Sequence, residues 1–149
     1  MKRPIFRLKS LLQYRKFMKT QAAARLAEAS RKRAQAYESA AHTSRLLEQM
    51  EAELKVTSRS ALRASEFMLL QDGLANRREQ VKQARRAYES ALAEEEACRE
   101  SILKIQKEYE SVLKLKEKHQ EQVRAEELRE EETAMNEFTN ARFKQASGY

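Results

Sequence analysis

Apolar residues recur along the second half of the chain at alternating steps of three and four. From Phe67 to Val123, thirteen of seventeen such positions are apolar, and most residues between them are Glu, Lys, Arg or Gln. These positions, the second seam, are Phe67, Leu70, Leu74, Arg77, Val81, Ala84, Tyr88, Ala91, Glu95, Cys98, Ile102, Ile105, Tyr109, Val112, Lys116, His119 and Val123. A 3.5-residue repeat held this long is typical of a coiled-coil helix, because supercoiling keeps one narrow stripe facing a partner helix.

The first half of the chain carries a weaker stripe with the same spacing. Eleven of its sixteen positions are apolar, and four of these are Ala between Ala22 and Ala40. These positions, the first seam, are Leu8, Leu12, Arg15, Lys19, Ala22, Leu26, Ala29, Arg33, Ala36, Ala40, Thr43, Leu47, Met50, Leu54, Thr57 and Ala61. Small side chains let a partner helix approach closely but bury less apolar area than Leu. We therefore expect this half of the hairpin to bury less apolar area per turn and to be the less stable half.

Two stretches of the sequence favour a chain reversal. The segment TSRSALRAS, residues 57–65, holds four hydroxyl side chains that compete for backbone hydrogen bonds, whereas Asp72 and Gly73 form a turn-prone dipeptide. The apolar spacing keeps its phase across Gly73, which a turn has no reason to preserve. We therefore predict the reversal at about 57–64, and Gly73 then costs the second helix about 1 kcal/mol relative to Ala.

The two seams together predict an all-α fold, an antiparallel coiled-coil hairpin of two long helices in a single domain. Helix one is expected at about 4–56, beginning at Pro4, and helix two at about 65–146. With the turn near residue 60, position i should face about position 120 minus i, so that Leu8 meets the region of Val112. The seam fades into charged residues after Val123, which predicts that the longer second helix has a C-terminal overhang.

Composition fits long helices and no membrane span. The 149 residues include one Pro, two Gly and no Trp, and 36% of them are charged. This composition disfavours a layered globular core. No apolar run exceeds four residues, far below the roughly 20 that a membrane helix needs. The basic N-terminal stretch lacks the apolar core of a signal peptide, and the single Cys98 suits a reducing compartment. We expect a cytoplasmic chain that is monomeric when isolated.

Charge is unevenly distributed along the chain, whose net charge is +7. Residues 1–33 hold eleven Lys or Arg against one Glu, a net +10, while residues 116–138 hold eight Glu against four basic residues, a net −4. Such a basic segment attracts nucleic acid nonspecifically, so a nucleic-acid-binding hairpin is one alternative function. Its apolar stripe is committed to packing and no aromatic stacking platform accompanies it, which disfavours specific nucleic-acid binding.

Side chains that could carry catalysis are not grouped in the sequence. His42 and His119 lack neighbouring ligands at metal spacing, and Cys98 falls on the second seam as a small apolar residue. Runs of Glu are frequent, but a helical hairpin offers no desolvated cleft to separate their pKa values. Phosphate-binding glycine loops are also missing from the sequence. We therefore predict no catalytic residue, metal or cofactor, and expect the function to lie in binding surfaces.

Both ends of the chain carry recognisable segments. FRLKSLLQYRKF, residues 6–17, leads into an Ala-rich helix containing LAEA, and EETAMNEFTNARF spans residues 131–143. With these segments the sequence resembles the FliJ family of flagellar export proteins over nearly its full length. The resemblance implies a small cytosolic helical hairpin of the flagellar type III export apparatus, similar to the stalk of rotary ATPases. Its terminal end would enter the ring of the hexameric export ATPase, and other parts would face the membrane export gate.

The resemblance also implies where partners bind. It places the ATPase-facing role on the terminal end, for which the candidate residues are Phe6, Arg7, Leu11, Tyr14, Arg15, Glu137, Phe138 and Arg142. Near the reversal, Phe67, Met68, Leu69 and Leu70 exceed what one seam can bury, so at least one should face outward and offer a contact for the export gate. Export chaperones are possible further partners.

Two alternatives remain open beside flagellar export and nucleic-acid binding. Relatives of the FliJ family serve as stalk proteins of virulence injectisomes, and the sequence does not separate the two systems. A generic coiled-coil scaffold would show a second apolar stripe, of which only Leu103, Leu113 and Leu115 give a hint. The oligomeric state and the effect on an export ATPase distinguish the scaffold from the stalk.

Overall fold

Two long helices make up the part of the chain that the structure describes. The computed structural model describes residues 8–59 and 63–147, where α1 spans Lys9–Thr57 and α2 spans Ala64–Ala146. Within these ranges there is no strand. The predicted all-α fold, with the second helix the longer, is confirmed, and the contacts between α1 and α2 are those of a helical hairpin.

The chain divides into two compact units, each holding a stretch of both helices. The terminal unit comprises Met1–Lys19 and Ile105–Tyr149, and the inner unit comprises Thr20–Lys104. In both, burial follows the two seams. Every described seam position is partly or fully buried except Phe67, which is 38% exposed. The 3.5-residue repeat therefore identified the packing face of each helix.

Side chains of the inner unit pair the helices antiparallel. The rings of Tyr37 and Tyr88 lie 5.5 Å apart, centroid to centroid. Further along α1, the methyl of Met50 approaches Gly73 so closely that a Cβ built there would lie 3.3 Å from it. Ala22 and Ala29 are each 5% exposed, which fits the close helix approach expected of small seam residues.

In the terminal unit, the start of α1 pairs with the middle of α2. Arg15 Nη1 donates a hydrogen bond of 2.7 Å to Glu108 Oε2 across the two helices. Val112 is 7% exposed, and burial ends at Val123, which is half-buried. From Arg124 to Ala146 every side chain is exposed, so this stretch of α2 has no helix partner within the described chain. We call residues 124–146 the overhang; at 1.5 Å per residue they extend about 35 Å.

The pairing register differs from the predicted one by about a helical turn. The predicted rule placed Tyr37 near residue 83 and Met50 near residue 70, whereas they meet Tyr88 and Gly73. The reason lies at the start of α2. Residues 63–69 are all exposed, so pairing on α2 begins at Leu70 and every later partner is displaced. The register of this hairpin therefore follows the seam layers that pack against each other, which on α2 begin at Leu70.

Candidate functional site

One buried ionic layer crosses the seam of the inner unit. Glu95 is 3% exposed and accepts a hydrogen bond from Arg33 Nε on α1. It also forms an ion pair with Arg99, one turn along α2, whose Nη2 lies 2.6 Å from Glu95 Oε1. Arg33 and Glu95 both occupy seam positions. Two guanidinium groups therefore compensate the one carboxylate that packing removes from water. The Glu95 carboxylate is therefore paired within the hairpin and buried from solvent.

Two basic seam residues of the terminal unit are also committed to α2. Arg15 pairs with Glu108, and its buried Nε has no hydrogen-bond partner in the described chain. The Lys19 ammonium lies 5.0 Å from the centroid of the Tyr109 ring. Such cation–π contacts stabilise a pair by about 0.5–2 kcal/mol. At the start of α1, Arg15 is thus paired with a carboxylate of α2 and Lys19 lies against a ring of α2.

The α1 residues predicted to face the ATPase lie in different environments. Phe6 and Arg7 lie outside the described residues. Leu11 is half-buried, and Arg15, whose side chain is 31% exposed, is held by Glu108. Tyr14 is 53% exposed, with the Arg15 guanidinium 6.0 Å from its ring centroid. Tyr14 is therefore the most accessible of the described α1 candidates.

The α2 candidates all lie on the overhang. Phe138 is 64% exposed, and Glu137 and Arg142 are also exposed. They are far from the α1 candidates, since 29 residues of helix separate Glu137 from Glu108, the partner of Arg15. At 1.5 Å per residue that is about 43 Å along α2. The structure does not bring the described α1 and α2 candidates together into one patch.

Further large apolar side chains of the overhang were not among the predicted site residues. Leu128 is 59% exposed, Met135 67% and Phe143 72%. Leu128 and Met135 line a shallow surface depression together with Glu131, Glu132 and Asn136. The overhang was expected as a charged single helix because the apolar spacing of the seam fades after Val123, and Phe138 was its one apolar residue among the predicted site residues. A separate helical projection of residues 124–146 would have found them.

The four gate candidates lie at the start of α2 in the inner unit. Met68 is 66% exposed and Leu69 72%, while Phe67 is 38% exposed and Leu70 is half-buried. The expectation that at least one faces outward is confirmed. Val56 near the end of α1, which sequence reasoning missed, is also 71% exposed. We call Val56, Phe67, Met68 and Leu69 the tip cluster; whether the export gate binds it stays a prediction.

Comparison with protein families decides the identity of the chain. The model of the family described as "Flagellar FliJ protein" matches residues 4–148. The chain belongs to the FliJ family. No curated protein and no solved structure matches it significantly.

FliJ membership makes the chain a stalk protein of flagellar export and associates it with the flagellar export apparatus. The family is an export component and not a known enzyme family. Among the described residues, no helix has the length and apolarity required to cross a membrane, and no group of His, Cys, Asp or Glu is arranged to hold a metal ion. Cys98 is a half-buried seam residue. The overhang and the tip cluster are among the surfaces of the described chain that expose large apolar side chains.

Proposed function

We propose that this FliJ-family chain couples the hexameric export ATPase to the membrane export gate during flagellar protein export. The family match over residues 4–148 carries the proposal. Two exposed apolar surfaces, the overhang in the terminal unit and the tip cluster in the inner unit, support it. Neither is needed for pairing α1 with α2. Two separate surfaces are what a protein with two partners requires.

The ATPase-facing role belongs to the terminal unit. Its overhang is a single helix with exposed charges and exposed Phe138, and the start of α1 adds exposed Tyr14. Exposed ion pairs contribute only about 0–1 kcal/mol each, so charge contacts here are weak and readily exchanged. A stalk inside a ring whose subunits change state during turnover needs reversible contacts of this kind.

The gate-facing role belongs to the tip cluster. Met68 and Leu69 are consecutive residues that each expose about two thirds of their side chains or more. Unbranched Met adapts to irregular partner surfaces, and exposed apolar clusters of this sort often mark protein interaction sites. The proposal places the chain in the cytoplasm, peripherally associated with the inner-membrane export apparatus, as a monomer when isolated. Export chaperones are further candidate partners.

Turnover of the cognate flagellar export ATPase tests the coupling role. Purified chain, titrated into the purified ATPase, should raise the rate of phosphate release until the ring is saturated. Light scattering on the same preparation should give the mass of a monomer. An unchanged ATPase rate, or a stable tetramer of the chain, would replace the stalk by a coiled-coil scaffold. Stimulation of an injectisome ATPase alone would assign the chain to that system.

Swapping the charges of Arg15 and Glu108 distinguishes a contact between Arg15 and the ATPase from the role of Arg15 in pairing the two helices. The substitution Arg15→Glu should weaken ATPase binding, but it also opposes two carboxylates across the seam because Glu108 faces it. The double variant Arg15→Glu with Glu108→Arg restores the pair between the helices. Binding that stays weak in the double variant indicates a contact with the ATPase. Binding that returns to the wild-type level removes Arg15 from the site.

The gate contact can be tested at the tip cluster alone. The double substitution Met68→Ser and Leu69→Ser removes its two most exposed α2 residues, and Leu103→Ser, at a side chain that is 59% exposed elsewhere on α2, is the matched control. We expect capture by the purified cytoplasmic part of the gate protein to be lost only in the tip variant, with ATPase stimulation unchanged. Equal capture of wild type and tip variant would remove the gate from this surface.

A further inference from the structure

The seam of the inner unit contains a carboxylate that is almost completely buried. Glu95 is 3% exposed and accepts a hydrogen bond from Arg33 of α1. Its ion pair with Arg99 lies within α2, so that pair forms whatever the position of α1. Of these two contacts, the one with Arg33 therefore depends on how the two helices are aligned.

The apolar seam residues of the inner unit discriminate weakly between alignments that differ by one heptad. The aromatic pair and the close approach at Gly73 place position i of α1 opposite about position 124 minus i of α2. Ala40 then lies opposite Ala84. A shift of one heptad in one direction would place Ala40 opposite Ala91, which has the same side chain. Packing of small residues alone therefore does not specify the register.

The start of α2 does not fix the alignment either. Residues 63–69 are exposed, and packing on α2 begins at the half-buried Leu70. Moving this stretch between the connection and a helix would lose little buried apolar area. Register has to be specified within the seam.

The charged seam residues distinguish these alignments. Side chains on a helix lean toward its N-terminus, so Arg33 and Glu95 on antiparallel helices lean toward each other. After a shift of one heptad, Glu95 would meet Leu26 in one direction and Ala40 in the other. Arg33 would likewise lie beside a seam residue that has no carboxylate. Either shift would leave two charged groups without each other in a partly dry seam, which is unfavourable.

We infer that Arg33 and Glu95, the register pair, select one alignment of α1 and α2 in the inner unit from the heptad-spaced alternatives that the apolar residues would accept. Polar residues at single seam positions fix register in other coiled coils, at a cost in stability. Replacing both members by apolar residues should therefore maintain or raise stability while allowing other alignments. This inference goes beyond the proposed function and depends on neither the ATPase nor the gate.

The alignment also decides which apolar side chains the tip cluster exposes. In the observed alignment Phe67 is 38% exposed. A shift of one heptad in the direction that brings Glu95 to Leu26 would place Phe67 opposite Met50 and bury it. The register pair therefore keeps the composition of the tip cluster constant.

Crosslinking between engineered cysteines measures the alignment directly. Each chain carries Cys98→Ala and one cysteine pair, and it is treated with a thiol crosslinker shorter than the length of one heptad, about 10 Å along a helix. One pair reports the observed alignment and two pairs report the two shifted ones; they are, in that order, Ala40→Cys with Ala84→Cys, Ala40→Cys with Ala91→Cys, and Ala36→Cys with Val81→Cys.

The three cysteine pairs are compared in three versions of the seam. The first is otherwise wild type, and the second, the Leu variant, carries Arg33→Leu with Glu95→Leu. The third, the matched control, carries Leu47→Ala, which removes apolar area at a half-buried seam position and leaves the register pair in place. Urea unfolding followed by circular dichroism gives the stability of each version.

In the wild-type seam and in the Leu47→Ala control, the pair for the observed alignment should crosslink at least about tenfold faster than either shifted pair, since a shift loses a hydrogen bond between charged groups. In the Leu variant, at least one shifted pair should crosslink at a rate within about threefold of the observed pair, with a urea midpoint no lower than that of wild type.

Three results would overturn the inference. Shifted pairs that stay unreactive in the Leu variant would show that the apolar residues suffice to set the register. Equally fast crosslinking of the shifted pairs in the Leu47→Ala control would show that any loss of packing releases the alignment. A Leu variant that keeps one alignment but unfolds at lower urea concentration would show that the pair contributes stability and not register.

Discussion

Replacing Glu95 by Gln should destabilise the hairpin more than any other single charge removal in its neighbourhood. The carboxylate is 3% exposed, accepts a hydrogen bond from Arg33 across the seam, and forms an ion pair with Arg99 on its own helix. Gln has nearly the same shape but no charge, and it offers one acceptor oxygen in place of two. Its amide group would then face an arginine with no bond to make.

The size of the effect follows from the exposure of the partners. Breaking a buried ion pair from one side costs about 3–5 kcal/mol when the remaining charge stays buried. Here the side chains of Arg33 and Arg99 are 34% and 56% exposed, so both recover water once Glu95 is neutral. Hydrogen bonds to charged groups are worth about 1.5–3 kcal/mol. We therefore expect a loss of about 2 kcal/mol, which lowers the melting temperature by roughly 4–8 °C.

Urea unfolding followed by circular dichroism measures this loss, with Glu96→Gln as the matched control. Glu96 is the next residue, loses the same charge, and is 63% exposed with its oxygen 3.9 Å from Arg99. Its substitution should change the free energy of unfolding by no more than about 0.5 kcal/mol. Equal midpoints for the two variants would refute the view that burial gives Glu95 its importance. A change in the slope of the transition would show that the two-state treatment fails.

Two further predictions concern a glycine and an exposed ion pair. Gly73→Ala should raise the free energy of unfolding by about 0.5 kcal/mol in the same urea assay. Ala gains roughly 1 kcal/mol of helix propensity over Gly, and part of this gain is offset because the flexible Met50 methyl must move away from the new Cβ. A destabilised variant would show that Met50 cannot move. The hydrogen bond from Arg31 lowers the pKa of the Glu28 carboxyl, so the pair persists above the ordinary pKa and is lost as the pH falls through the lowered one. Carboxyl titration by NMR should show this pKa returning to its ordinary value in Arg31→Gln, and an unchanged pKa would contradict the assignment.

The seams were predictable because their signal is repeated. Apolar residues recur at nearly every turn of each helix. Single polar seam residues such as Arg33 or Glu95 therefore do not change the spacing of the apolar repeat. The register was less predictable, because it depends on where α2 pairing begins. With the turn centred near residue 60, the predicted register placed Arg33 opposite residue 87. Its actual partner, Glu95, was therefore not predicted. Once the register is known, two seam positions of opposite charge identify the ionic layer.

Partner surfaces are harder to predict because they are not repeated. In a coiled coil most apolar residues pack between the helices. An apolar residue outside the seam can therefore be recognised as a candidate for partner binding only once the seam positions have been assigned. What then remains is grouped: Met68 and Leu69 are consecutive, while Leu128 and Met135 share one helix face. Burying such side chains against a partner recovers about 1.5–3 kcal/mol each, whereas leaving them in water gains the folded chain nothing. Their exposure in a chain rich in charged residues makes these positions the first to test for partner binding.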